Sequence, residues 1–248
     1  MSATGEFERG TRLACLLVDI DARPDAAGVQ RLAVSGAFSI SHANSADAGW
    51  IELLSDGLTF DLAGLAPGPV IAAPAIANWY GVKPVPNGCA AITLAAGPHL
   101  AGAEHLLPVV RVAAALVASL SALPGVRSVS WLPSDCATRP DWFATAVEAW
   151  VNGGPFPALA LSALERSEQG VLASRGLDFL IGQDFRLTGC SDLAPDDAAR
   201  IAIRLTDWLV VHGAPETPRE VELEGAGSVW IAAEPGGEPG GMIEARRR

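Results

Sequence analysis

The sequence predicts an α+β fold: a mixed, mainly antiparallel sheet flanked by helices. Three observations carry that expectation. Short apolar runs of strand length recur at 13–20, 37–41, 50–54, 58–62, 90–95 and 126–132. Among them lie stretches whose apolar residues return every three or four positions, as a helix with one buried face requires. The Asp56-Gly57 step joins two of the runs by a connection too short for anything but an antiparallel hairpin.

Taken in order, Leu13 to Ile20 reads as a strand, and Arg23-Pro24-Asp25 opens a helix carrying Val29, Leu32 and Ala33 at helical spacing. The strands at Ala37 to Ser41, Trp50 to Leu54 and Leu58 to Leu62 follow. Residues 65–88 hold Pro67, Pro69, Pro74, Pro84 and Pro86, and read as a crossing between an N-terminal half, 1–64, and a main half, 89–232.

The main half opens with a strand at Ala90 to Ala95. A helix beginning near Pro108 then places Val109, Val112, Leu116, Leu120 and Leu123 on one stripe and stops at Pro124-Gly125. After the strand Val126 to Leu132, Pro140 opens a helix on which Trp142, Phe143, Ala146, Val147, Trp150 and Val151 form an apolar face, ended by Gly153-Gly154. Ala158 to Leu164 and Val171 to Ser174 read as hairpin arms, and Leu177 to Leu187 as a continuation of the sheet. Pro195-Asp196-Asp197 starts a last helix that turns Ile201, Leu205, Trp208 and Leu209 inward and ends at His212-Gly213. Residues 233–248, with their Glu-Pro-Gly-Gly repeat and Arg run, read as a mobile tail. The order strand, helix, strands recurs in both halves and suggests two similar βα-containing halves packed together, without sequence identity between them.

The chain carries 17 basic and 28 acidic residues, a formal charge of -11, and its single lysine is Lys83. That mean field repels nucleic acid and anionic lipid and suits a protein partner with a basic surface. The apolar stretch Leu106 to Leu123 is broken by Pro108, Arg111 and Ser119 and is shorter than the roughly 20 residues of a membrane span. The opening residues are acidic where a secretory signal is basic. The cysteines Cys15, Cys89, Cys136 and Cys190 are widely scattered, as buried thiols are in a reducing compartment, so the expected location is the cytoplasm. Neither a phosphate loop nor a dinucleotide fingerprint occurs, and no cofactor is expected.

From about Val85 to Glu224 the features fall in a distinctive order. The helix Val109 to Leu123 runs into Val129-Ser130-Trp131, and the Trp142 to Trp150 helix leads through Pro155 and Pro157 into Leu159-Ala160-Leu161-Ser162. Ser174-Arg175-Gly176-Leu177 follows, with Gly182 and Asp184 behind it, and then a helix ending Trp208 to Gly213. This order resembles a bacterial family catalogued as domain of unknown function 4261. Ser174 and Asp184 stand where that family has Thr and Glu, and Asn87-Gly88-Cys89 replaces its His before the first strand. The resemblance implies an α+β fold and a bacterial source; the family has no established activity, so no catalytic residue is carried over.

Several residues are candidates for chemistry, each with a plain structural alternative. Cys136, after Ser134-Asp135 in a loop, is a nucleophile if His99 or His105 reaches it, and otherwise a structural thiol. Cys89, His99 and His105 have ligand chemistry but no metal-site spacing, so no metal is expected. Asp19 and Asp21 at a strand end are either a magnesium pair or caps. Trp79-Tyr80 in the Pro-rich crossing is either a partner contact or a pin to the core. Arg175-Gly176 is either an anion site or half of an ion pair with Asp178 or Asp184. Glu165 and Glu168 read as solvated hairpin acids.

Taken together these point to a non-catalytic interaction or regulatory module, of the immunity type that neutralises a basic partner. The competing expectation is a small-molecule hydrolase using Cys136 or Asp19 and Asp21 in a cleft between the halves.

Overall fold

The computed structural model describes residues 10–43, 45–84, 88–233 and 241–248. In chain order its elements are β1 (Arg12–Asp19), α1 (Ala26–Ala33), β2 (Ser39–Ala43), β3 (Trp50–Ser55), β4 (Leu58–Ala63), β5 (Asn78–Tyr80), β6 (Cys89–Ala96), α2 (Leu107–Leu120) and β7 (Val126–Trp131). There follow β8 (Cys136–Thr138), α3 (Pro140–Val151), α4 (Ala158–Leu161), β9 (Ala163–Arg166), β10 (Leu172–Arg175), α5 (Asp178–Ile181) and β11 (Asp184–Thr188). The chain closes with α6 (Pro195–His212), β12 (Arg219–Leu223), β13 (Gly227–Ala233) and β14 (Met242–Arg247). The fold is α+β, with mixed, mostly antiparallel sheets flanked by helices.

The chain divides into two compact units. One holds the residues up to Ala75 with Gly81–Leu132 and Thr138–Thr145, and the other holds Ile76–Tyr80, Pro133–Ala137 and Ala146–Arg248. The expected halves at 1–64 and 89–232 do not coincide with these units. The reason is pairing: β1 lies between β6 and β7, so strands on both sides of the Pro-rich crossing build one sheet.

In the first unit the strand order is β2-β3-β4-β6-β1-β7. Every neighbouring pair in it is antiparallel. The β3–β4 hairpin turns on Asp56 at φ 48° and Gly57 at φ 79°, the left-handed pair that an Asp-Gly step supplies at low cost. Leu13 to Val18 of β1 are all buried, because the strand is covered on both faces. Asp25 caps α1, its carboxylate accepting from Gly28 N at 2.7 Å.

The second unit holds a six-stranded sheet in the order β12-β13-β14-β11-β10-β9. Only β11 and β14 run parallel. Helix α6 packs against β10 and β12. Pro195 in its first turn, Asp196 and Asp197 behind it and His212 at its far end match the helix dipole, while Ile201, Leu205 and Leu209 are buried.

Several expectations need correcting. Met242–Arg247 is not a mobile tail but an interior strand, because Ile243 and Ala245 alternate inward and are buried. The Glu-Pro-Gly-Gly repeat at 234–240 lies outside the described residues. Ala158 to Leu161 form a helical turn rather than a strand, and Asp178–Ile181 form another inside the expected strand Leu177 to Leu187. On α3 Phe143, Val147 and Trp150 are buried, whereas Trp142 and Val151 stand 38% and 37% exposed, so the apolar stripe is narrower than its sequence. Trp208 on α6 is half-buried. Among the described residues, no helix is long and apolar enough to cross a membrane.

Candidate functional site

Three stretches singled out in the sequence converge in the second unit: Trp79-Tyr80 on β5, the Ser134-Asp135-Cys136 turn into β8, and Arg175-Gly176 at the end of β10. Asp135 is the hub. It sits at φ 52°, a left-handed conformation that Asp tolerates better than most side chains. In that pose its carbonyl accepts from Asn78 N at 3.1 Å, and its Oδ1 accepts from Ala77 N at 3.3 Å. Its other carboxylate oxygen, Oδ2, receives Arg175 Nη2 at 3.1 Å.

Arg175 also lies 3.8 Å from Glu165 on β9, whose carboxylate accepts from Asn78 Nδ2 at 3.3 Å. The guanidinium therefore bridges two carboxylates at a half-exposed position, and the cluster of Asp135, Glu165 and Arg175 keeps one net negative charge. The expected partners of Arg175, Asp178 and Asp184, are not the ones it takes.

Asp184 instead holds the turn that presents Arg175. Its carboxylate accepts from Ser174 Oγ at 2.6 Å, Leu177 N at 3.0 Å and Gly176 N at 3.3 Å, while Ser174 Oγ in turn accepts from Phe185 N at 2.8 Å. Burial raises the Asp184 carboxyl above its ordinary range, against the lowering effect of the Ser174 hydrogen bond. Gly176 is required twice over: its φ is +81°, and a Cβ there would stand 2.5 Å from Ser134 Cα. The Ser-Arg-Gly-Leu and Asp pattern is thus a carboxylate-clamped turn.

Tyr80 is a pin. Its hydroxyl accepts from Leu164 N at 2.9 Å and donates to Leu164 O at 3.3 Å, filling both backbone groups of one residue on the outer side of β9. Trp79 donates Nε1–H to Ile76 O at 3.0 Å and is half-buried. Cys136 is fully buried, with Sγ 3.0 Å from Ser134 Oγ and 3.7 Å from Ala160 O, an enclosure unlike that of an attacking thiolate.

The remaining candidates belong to the first unit. His99 is exposed and reaches the Thr59 hydroxyl at 3.3 Å, and His105 is exposed on the loop before α2. Asp19 accepts from Arg127 Nε at 3.0 Å and Nη2 at 2.5 Å, while Asp21 stands exposed in a helical turn at Ile20–Ala22. Cys89 is half-buried and lies opposite Asp19 in the β1–β6 register. Among the described residues, no three His, Cys, Asp or Glu side chains gather as a metal ion requires. A cleft of about 220 Å³ in this unit is lined by Asp25, Ala26, Trp50, Leu65 and Pro67 among others.

Asp135 and Glu165 were not foreseen as members of the site. Only the placement of an Asp in a loop beside a strand end hinted at the first. No family model, curated protein or solved structure matches the chain.

Proposed function

We propose that this chain is a cytoplasmic bacterial interaction module without catalytic activity, of the regulatory or immunity type, that binds a protein with a basic surface. One observation carries the reading: the residues best suited to chemistry are held in structural roles. Cys136 is enclosed, Asp19 is paired with Arg127, Tyr80 fastens β9, and Arg175 lies between two carboxylates. What remains outward is charge, -11 over the chain, and such a field attracts a cationic partner from a distance. The motif order from 85 to 224 supports membership of the family domain of unknown function 4261 as part of the same proposal. The hydrolase alternative needs an accessible nucleophile or a vacant carboxylate pair, and the burial of Cys136 and the pairing of Asp19 count against both.

The test is affinity capture from the source cytoplasm at low and at physiological salt, followed by binding of the purified partner. The reading expects a basic protein whose affinity falls as salt rises. Recovery of no such protein at low salt would overturn it.

A further inference from the structure

The second unit's sheet has two edges, and they are treated differently. On β9 the Tyr80 hydroxyl fills the outward N–H and C=O of Leu164. On β12 no described strand lies beyond, and its register with β13 runs unbroken from Arg219↔Ile231 to Leu223↔Gly227. The direction of its free backbone groups follows from the pairing. Arg248 N donates to Ser228 O at 3.2 Å, so Ser228 turns its backbone toward β14 and away from β12. Its cross-strand partner Glu222 must then turn its own N–H and C=O outward, and by the two-residue period Glu220 does the same.

The side chains of those two residues are exposed as well, while Val221 and Leu223 between and beside them are 4% and 2% exposed. The edge thus presents a backbone ladder flanked by two carboxylates on one face and an apolar row on the other. From this we infer that β12 is the docking edge for an extended segment of the basic partner, which adds to the sheet as a further strand. The inference rests on the basic-partner reading above and names its surface. A residue opposite Glu220 and another opposite Glu222 share one face, so the segment carries Lys or Arg at alternate positions with an apolar residue between them. A second copy of this chain is disfavoured as the occupant, since β12 against β12 brings glutamate to glutamate.

The test uses the full chain and a capped peptide, Thr-Lys-Val-Lys-Val-Lys-Thr, at about 0.15 M salt, followed by calorimetry and amide hydrogen exchange. Expected are binding, slowed exchange at the Glu220 and Glu222 amides, and affinity about tenfold weaker in the E220Q/E222Q double variant. E222P should abolish binding without altering the fold, because the N–H it removes faces no strand of its own sheet. Binding that survives E222P, or protection confined to other residues, overturns the edge assignment and leaves the basic-partner reading standing. So does binding of poly-L-lysine without binding of the peptide. Failure of both probes to bind overturns both. A dimer in sedimentation that E222P dissociates would replace the basic segment with a second copy.

Discussion

The Arg175 guanidinium meets the Asp135 carboxylate at 3.1 Å, yet the two residues contribute unequally to the structure. Arg175 is half-exposed and offers a screened ion pair, so Arg175→Ala should cost only about 0.2–1 kcal/mol. Asp135 also accepts from Ala77 N through its carboxylate and holds a left-handed conformation that Ala adopts poorly, so Asp135→Ala should cost about 1–3 kcal/mol. Urea titration of both variants checks this. Equal losses would mean that the ion pair, and not the turn, holds the site.

Gly176 and Gly182 separate strain from collision. Both have φ near +80°, but a Cβ at Gly176 meets Ser134 Cα at 2.5 Å and a Cβ at Gly182 meets nothing within 4 Å. Gly182→Ala should cost about 1 kcal/mol from the backbone alone, and Gly176→Ala distinctly more, about 3 kcal/mol or above. Parity of the two in thermal melts would show that the Ser134 turn gives way easily.

Trp150 packs its ring edge-on against Phe156, with centroids 5.4 Å apart, and is 6% exposed. Trp150→Ala should therefore remove a packed ring and cost about 3–5 kcal/mol. Trp142→Ala on the same helix, at 38% exposure, should cost less than about half of that. A denaturant midpoint that ranks them the other way would refute the orientation of α3.

Asp184 makes stability depend on pH in a direction that can be stated. Burial raises its folded-state pKa above the unfolded one, so the folded chain holds this proton more tightly. Its contribution is fully present below the unfolded pKa and is lost as pH rises through the folded value. Asp184→Asn cannot titrate and should lose about 1–3 kcal/mol at neutral pH through its hydrogen bonds. The gap between the two proteins should widen as pH falls from about 7 to 3. A gap that narrowed would mean the carboxylate is favoured by its donors more than it is penalised by burial.

Much of the fold was legible where a pattern was long or a turn was chemically specific. The helices α2, α3 and α6 follow their apolar periods and their Pro starts, and the β3–β4 hairpin follows Asp56-Gly57. The strands β5 and β8 are three residues each, too short for a period to register. In β14 the alternation of Ile243 and Ala245 was hidden by the Gly/Pro repeat before it and the Arg run around it. At the site, Tyr80 and Arg175-Gly176 stood out by residue type. Glu165 did not, because an acid on a hairpin is solvated unless a distant residue, here Asn78, comes to meet it.

The place of β14 sets an order on synthesis. It pairs with β11 on one side and β13 on the other, though both precede it in the chain. As the polypeptide leaves the ribosome, β9, β10 and β11 can assemble, and so can the β12–β13 hairpin, but the two sub-sheets then face each other across a missing rung. Each carries an open backbone ladder until Met242–Arg247 emerges and is threaded between them. The nascent chain therefore passes through an interval in which the β11 and β13 ladders stand open, as they do not in the finished unit.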